Sequence, residues 1–200
     1  MGLELVYDEG QTPLSEEEKE GLLIRTVTTK AELDEVEQRN VEEAILYVIN
    51  RRKRFSVDEV LSEKFVKDLH ARMFSGVWKW AGSFRVTEKN IGVQSYMIGI
   101  ELRQLLDDCK YWITNKTFSP DEIAVRFKHR IVVIHCFSNG NGRHSRLIAD
   151  VIVEKLFGLD VFTWGGNNLV QKGSFRALYL QSLRSADMGE PEALLQFSRN

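Results

Sequence analysis

The chain predicts an all-α fold with one small β excursion, and three observations carry that expectation. Serine or threonine followed three residues later by glutamate recurs at Thr29–Glu32, Ser56–Glu59 and Ser119–Glu122. Behind each pair, apolar residues return every three or four positions, the period of a helix face turned to a core. One stretch, Gly82 to Gly99, breaks this rhythm. It sets β-branched and aromatic residues on either side of a polar Glu88-Lys89-Asn90 centre.

Residues 1–27 hold Gly10, Pro13, Gly21 and the acidic run Glu16-Glu17-Glu18. They read as an N-terminal arm lying apart from the core, with residues 28–200 forming one domain. The capping box at Thr29 opens a helix whose stripe is Leu33, Val36, Val41, Ala44, Ile45 and Val48. Ser56 opens a second, with Leu61, Phe65, Leu69 and Met73 at four-residue steps. Residues 82–99 are expected to form a short hairpin or extended flap. A hairpin without a sheet partner has an open edge, and such an edge can receive an extended peptide.

Leu102, Leu105, Leu106 and Cys109 mark the next helix. Ser119 then caps another, with Pro120 at its first position and Glu122 at its third. Ile123, Phe127, Ile131 and Ile134 give it one buried face. A helix beginning near Asn141 continues through Leu147, Ile148, Val151 and Leu156, and a last helical region runs from about Leu169 to Ala186. The four tryptophans, Trp78, Trp80, Trp112 and Trp164, read as packing anchors.

Composition narrows the function classes. Two hundred residues suffice for one well-buried domain. The formal net charge of −2 argues against a global basic field for gripping nucleic acid. Arg51-Arg52-Lys53-Arg54 reads instead as a solvated helix end, so no direct nucleic-acid contact is expected. Two cysteines make neither a disulfide framework nor a CxxC metal site. No apolar run is long enough to span a bilayer, and the N-terminus lacks the pattern of a secretory signal. A soluble, cytoplasmic protein is the expectation, with no membrane partner.

The stretch from Ile134 to Leu147, IHCFSNGNGRHSRL, carries the chemistry. The helix from Pro120 ends near Ile134, and Ser138 to Gly142 form a turn whose glycines let backbone N–H groups converge. The free amides at a helix start carry partial positive charge and hold phosphate well. Arg143 and Arg146 lie three residues apart in the first turns and project from neighbouring positions. Cations there oppose the helix dipole, and a shared anion reverses that penalty. His135, beside the turn, titrates near neutrality and can accept a proton. Phe137 reads as the anchor of the loop. His70 and His129 read as structural or exposed.

His135 to Arg146 resembles the signature of Fic-domain proteins, H-x-F-x-[D/E]-G-N-G-R-x-x-R, and "WKWAGSFR" (Trp78 to Arg85) supports the resemblance. It covers about Leu33 to Ala186. Among Fic proteins the chain is most similar to the bacterial subgroup called mobile mystery protein B, which also has asparagine at the acidic position.

The resemblance implies a Fic-like helical bundle and AMP transfer from ATP to a hydroxyl of a target protein. By that resemblance His135 is the general base. Gly140, Asn141 and Gly142 hold phosphate through their amides, and Arg143 and Arg146 bind the β and γ phosphates. Asn168 borders the base pocket. The flap residues Thr87, Lys89, Asn90, Ile91, Gly92 and Val93 align a protein substrate.

The family's acidic residue holds Mg²⁺, and here that position is Asn139, a neutral amide. Magnesium is then expected to arrive as its ATP complex. The alternative is a Fic scaffold that binds a nucleotide or peptide, or uses another phosphate-containing donor, with weak or lost AMP transfer. Inhibition in the family uses a glutamate that pairs with the second arginine. Glu37 has the nearest spacing and is expected to meet Arg146, against the simpler reading of an ordinary helix carboxylate. The subgroup implies a helix-turn-helix companion protein.

Overall fold

A computed structural model describes residues 5, 12–50, 54–166 and 174–200. Among them, nine α-helices pack around a single apolar core: α1 (Glu16–Lys19), α2 (Lys30–Val48), α3 (Val57–Val60), α4 (Glu63–Phe74), α5 (Ile98–Asn115), α6 (Pro120–Ile134), α7 (Asn141–Val151), α8 (Ser174–Asp187) and α9 (Glu192–Arg199). The all-α expectation holds. Leu169 to Gly173, Asn168 and Arg51 to Lys53 lie outside the described residues.

The expected caps form. Thr29 and Ser56 each accept from the third helical amide while Glu32 and Glu59 reach back to the cap amides. Ser119 caps α6 with Pro120 in its first turn. One expected helix is two. The run from Ser56 breaks at Leu61 (φ −90°, ψ 59°), and Ser62 restarts it by accepting from the Phe65 amide. Leu61 is buried at the end of α3, and Leu69 and Met73 are buried on α4. The helix α9 is an addition to the expected set, starting after the Gly189 turn and burying Leu194 and Phe197. A π-helical segment, Ile152–Leu156, continues α7.

The centre of the molecule is α6 against α7, with α5 and α9 along α6 and α4 along α2 and α7. Their buried stripes are Ile123, Phe127, Ile131 and Ile134 on α6 and Leu147, Ile148 and Val151 on α7. Burying such side chains is worth about 1.5–3 kcal/mol each. This packing holds the α6–α7 turn rigidly.

The hairpin does not form. Residues 82–94 are irregular, followed by a 3-10 turn at Ser95–Met97. The reason is where the backbone groups are bonded. Arg85 N–H donates to Cys136 O (2.9 Å) and Val93 N–H to Ile134 O (3.3 Å), so both ends of the flap bond to the α6–α7 corner. The Arg85 guanidinium donates to Thr87 O (2.9 Å) and to Val93 O, filling the space a partner strand would take. Glu88 closes the loop by accepting from Ser95 N–H (2.9 Å) and its hydroxyl (2.7 Å).

Residues 12–27, expected to lie apart from the core, are built into it. Leu14 and Val27 are buried in the apolar cluster. Gly21 and Leu23 bond the backbone of Lys79 and Val77 beside a single antiparallel bridge, Leu22 with Trp78. Ser15 and Glu18 form a capping box on α1, and Trp80 Nε1–H donates to Glu18 O (3.0 Å).

Candidate active site

The site is assembled at the α6–α7 corner. His135 terminates α6 in the left-handed conformation (φ 58°), a strained setting for a residue with a side chain. Arg85 over-determines it. That arginine is 3% exposed, and its Nε–H donates to His135 O at 2.7 Å. Gly92 packs on the other side, where a Cβ would come within 2.6 Å of the His135 Cβ. The flap therefore clamps the histidine.

The His135 ring is buried. Its Nε2 lies 3.1 Å from the Thr12 hydroxyl. Its Nδ1 makes no hydrogen bond within ordinary reach. Burial, then the positive charges of Arg85 and Lys89, push its pKa down to about 4, with only the Val132 backbone pulling upward. The imidazole is neutral near pH 7 and has a lone pair available for a proton.

Next comes the turn. The Asn141 side chain ties it from within, its Oδ1 accepting from Phe137 N–H (2.9 Å) and its Nδ2–H donating to Phe137 O (2.7 Å). Gly140 begins α7 at φ 77°, and a Cβ there would lie 2.5 Å from the Phe74 ring. The first intrahelical bond of α7 is His144 N–H to Gly140 O (2.9 Å). The amides of Asn141, Gly142 and Arg143 precede it, the position of free N–H groups at a helix start. A Cβ built on Gly142 meets nothing within 4 Å, so this side of the turn opens onto space. The turn fits an anion there.

Asn139 does not present an oxygen to a metal. Its Oδ1 folds back to accept from Gly140 N–H at 2.6 Å. Among the described residues, no group of three histidine, cysteine or carboxylate side chains could hold a metal ion. The donor set does not fit a protein-held Mg²⁺.

The two arginines diverge. Glu37, expected to meet Arg146, instead pairs with Arg143 at 2.5 Å and is 4% exposed. Its other oxygen accepts from Trp78 Nε1–H at 2.6 Å. Trp78 belongs to the turn after α4, so Glu37 is held at the start of α7, one turn short of Arg146. Arg146 lies over the Tyr179 ring of α8 (5.8 Å). Burial would raise the Tyr179 pKa, but Lys128 and Arg146 together hold it below the usual phenol value. Lys128 is itself fully buried, its Nζ donating to Tyr179 Oη at 2.6 Å.

The flap residues Thr87 and Lys89 are engaged from within the chain. Thr87 Oγ1–H donates to Glu18 Oε1 (2.8 Å), and Lys89 pairs with Glu18 and donates to Pro13 O (2.9 Å). Asn90, Ile91 and Gly92 are exposed and Val93 is half-buried.

Several residues were not legible as functional. His70 accepts from Gly82 N–H at Nδ1 (3.0 Å), which leaves Nε2–H to donate to Asn139 O (3.0 Å). Stacked on Phe137 at 3.7 Å, it supports the turn from below. Burial first, then His144, drive its pKa well below the usual value, so it stays neutral and keeps this tautomer. Thr12 gave no local signal, and Trp78 and Arg85 stood out only as the ends of the WKWAGSFR stretch.

Residues 60–153 match the model of the Fic/DOC family. The protein adenylyltransferase fic-1 of Caenorhabditis elegans is 24% identical over 146 residues, covering 71% of this chain and 26% of that protein. The chain thus spans about a quarter of that relative's length. Among solved structures, BepC of Bartonella tribocorum with bound AMPPNP superposes with TM-score 0.68 at 16% identity, covering 92% of this chain and 97% of that one. The structure of C. elegans Fic-1 gives TM-score 0.63 at 19% identity, over 90% of this chain and 51% of the other. The His135 corner and the amide turn lie within the segment that matches the Fic/DOC model, and the helical fold is similar to that of the solved Fic structures.

Proposed function

We propose that this chain is a protein adenylyltransferase, transferring AMP from ATP to a Ser, Thr or Tyr hydroxyl of a protein. The observation that carries this reading is a hydroxyl seated on His135 Nε2 beside an open amide turn. His135 takes the proton of the acceptor hydroxyl, whose oxygen then attacks the α-phosphorus of ATP. The amides of Asn141, Gly142 and Arg143, the expected Gly140 amide being taken by Asn139 Oδ1, stabilise the charge that builds on the phosphate oxygens as pyrophosphate departs. Arg143 and Arg146 hold the outer phosphates. Magnesium carried in on ATP would supply charge neutralisation with phosphate and water as its ligands. Exposed Asn90 and Ile91 offer flap backbone to an extended target segment.

Incubation with α-labelled ATP and Mg²⁺ is expected to label the protein or a lysate component. His135→Ala is expected to lower labelling by about 10²-fold or more, the range for a general base. Because burial holds the imidazole pKa at about 4, the ascending limb of the pH–rate profile is expected well below the ordinary histidine value. A pH–rate profile left unchanged by His135→Ala would remove His135 from this role.

A second reading has its own support. Asn139, turned back onto Gly140 and offering no metal ligand, supports a scaffold that binds nucleotide without turnover. Asn139→Asp is expected to restore a metal ligand and raise Mg²⁺-dependent labelling about tenfold or more. Calorimetry with ATP, with and without metal, separates the readings. Tight binding with no product, unchanged by Asn139→Asp, supports the scaffold. The asparagine at 139 also supports placement in the mobile mystery protein B subgroup, which brings a bacterial, cytoplasmic setting and a helix-turn-helix companion protein. No helix among the described residues is long and apolar enough to cross a membrane.

A further inference from the structure

We propose that Thr12 is an acceptor of the transferred nucleotidyl group, a modification site on the chain itself. This inference rests on the adenylyltransferase reading. The Thr12 hydroxyl occupies the position an acceptor must take, 3.1 Å from His135 Nε2, with the residue 8% exposed. It donates to the ring in the tautomer that carries its proton on Nδ1. Over a hundred residues separate the two in sequence, so the contact is made by the fold and not by local geometry.

The segment around Thr12 is seated like a bound substrate. Pro13 O accepts from Lys89 Nζ at 2.9 Å, on the flap. Leu14 is buried in the core. Glu18 accepts from Thr87 and pairs with Lys89, both side chains of that ion pair being almost inaccessible. Lys89, its aliphatic stem buried and its ammonium bonded to the backbone of residue 13, fixes the chain one residue beyond the hydroxyl. The capping box of Ser15 and Glu18 makes the next four residues a rigid helical turn. Thr12 is thus held at the base by a preorganised support, the arrangement that converts a bimolecular transfer into an intramolecular one.

The step balances without any further reagent. Thr12 Oγ forms a bond to the α-phosphorus of a nucleoside triphosphate, and the bond from that phosphorus to the oxygen bridging to the β-phosphorus breaks. The hydroxyl proton passes to His135, and pyrophosphate leaves. Once modified, Thr12 has no hydroxyl proton left to donate to His135.

The test uses the purified full chain with α-labelled ATP and Mg²⁺, with peptide mapping by mass spectrometry and a lysate as second acceptor. The adduct is expected on Thr12, with a rate constant unchanged over about a hundredfold range of protein concentration, as an intramolecular step requires. Thr12→Ser retains the adduct, and Thr12→Val lowers self-labelling about tenfold or more. Self-labelling on another residue, or a rate constant that climbs with protein concentration, overturns the proposal. Labelling of the lysate with none on the chain overturns it and leaves the transferase reading standing. No label on either, at neutral pH and in the Glu37→Gln background as well, sinks the transferase reading and this inference together.

Discussion

Glu37→Gln is expected to raise nucleotide affinity and AMP transfer together. Glutamine keeps a carbonyl oxygen for Trp78 Nε1–H, so the buried indole stays satisfied. It loses the charge that holds Arg143. Charge-assisted hydrogen bonds of this kind are worth about 1.5–3 kcal/mol, and about 1.4 kcal/mol is a tenfold change in affinity. A rise of about ten- to a hundredfold in ATP affinity is therefore expected by calorimetry. Glu37→Ala is expected to free the same arginine but to cost stability, about 1–3 kcal/mol, because the Trp78 N–H is left without a partner. If Glu37→Gln binds ATP no better than the parent, the ion pair is structural and does not compete with phosphate. The pairing with Arg143, in place of Arg146, also predicts that the parent holds the outer phosphates with Arg146 more readily than with Arg143.

Two alanine substitutions two residues apart are expected to fail in opposite ways. At Gly140 the backbone is left-handed (φ 77°), and a methyl group would lie 2.5 Å from Phe74. The conformation costs a non-glycine residue about 1–2 kcal/mol, and overpacking costs about 1–3 more. Gly140→Ala is expected to lose about 2–5 kcal/mol in denaturant unfolding. At Gly142, early in α7, the methyl meets nothing and the helix gains about 0.5–1 kcal/mol. The same methyl enters the space over the amide turn. Gly142→Ala is expected to keep or raise stability while weakening ATP binding about tenfold or more. Gly142→Ala binding ATP at the parent's affinity would show that the phosphates do not lie against this turn.

The helices were legible because their determinants are local. A hydroxyl at a cap, a glutamate three residues on and a stripe at helical spacing act within one or two turns, so Thr29 and Ser119 begin helices wherever the rest of the chain lies. Ser62 shows the limit. A second cap inside an apolar stripe interrupts the helix although the stripe continues, and the apolar spacing from Leu61 to Met73 hides the break. The flap failed for a related reason. Its residues have strand character, but a hairpin needs its backbone groups to bond each other, and buried Arg85 takes them instead.

For the site, the sequence by itself determined the chemical repertoire. A base, a glycine turn with free amides and two arginines lie in one short stretch, His135 to Arg146, and their juxtaposition needs nothing beyond one turn and one helix start. Tertiary structure alone decided how each of them is used. His70 supports Asn139, Glu37 restrains Arg143 and Thr12 reaches His135 across 69, 106 and 123 positions of the chain. Such contacts depend on the directions in which α2, α4, α6 and α7 cross. Those directions follow from side-chain packing summed over the whole core, and no short stretch of residues encodes them.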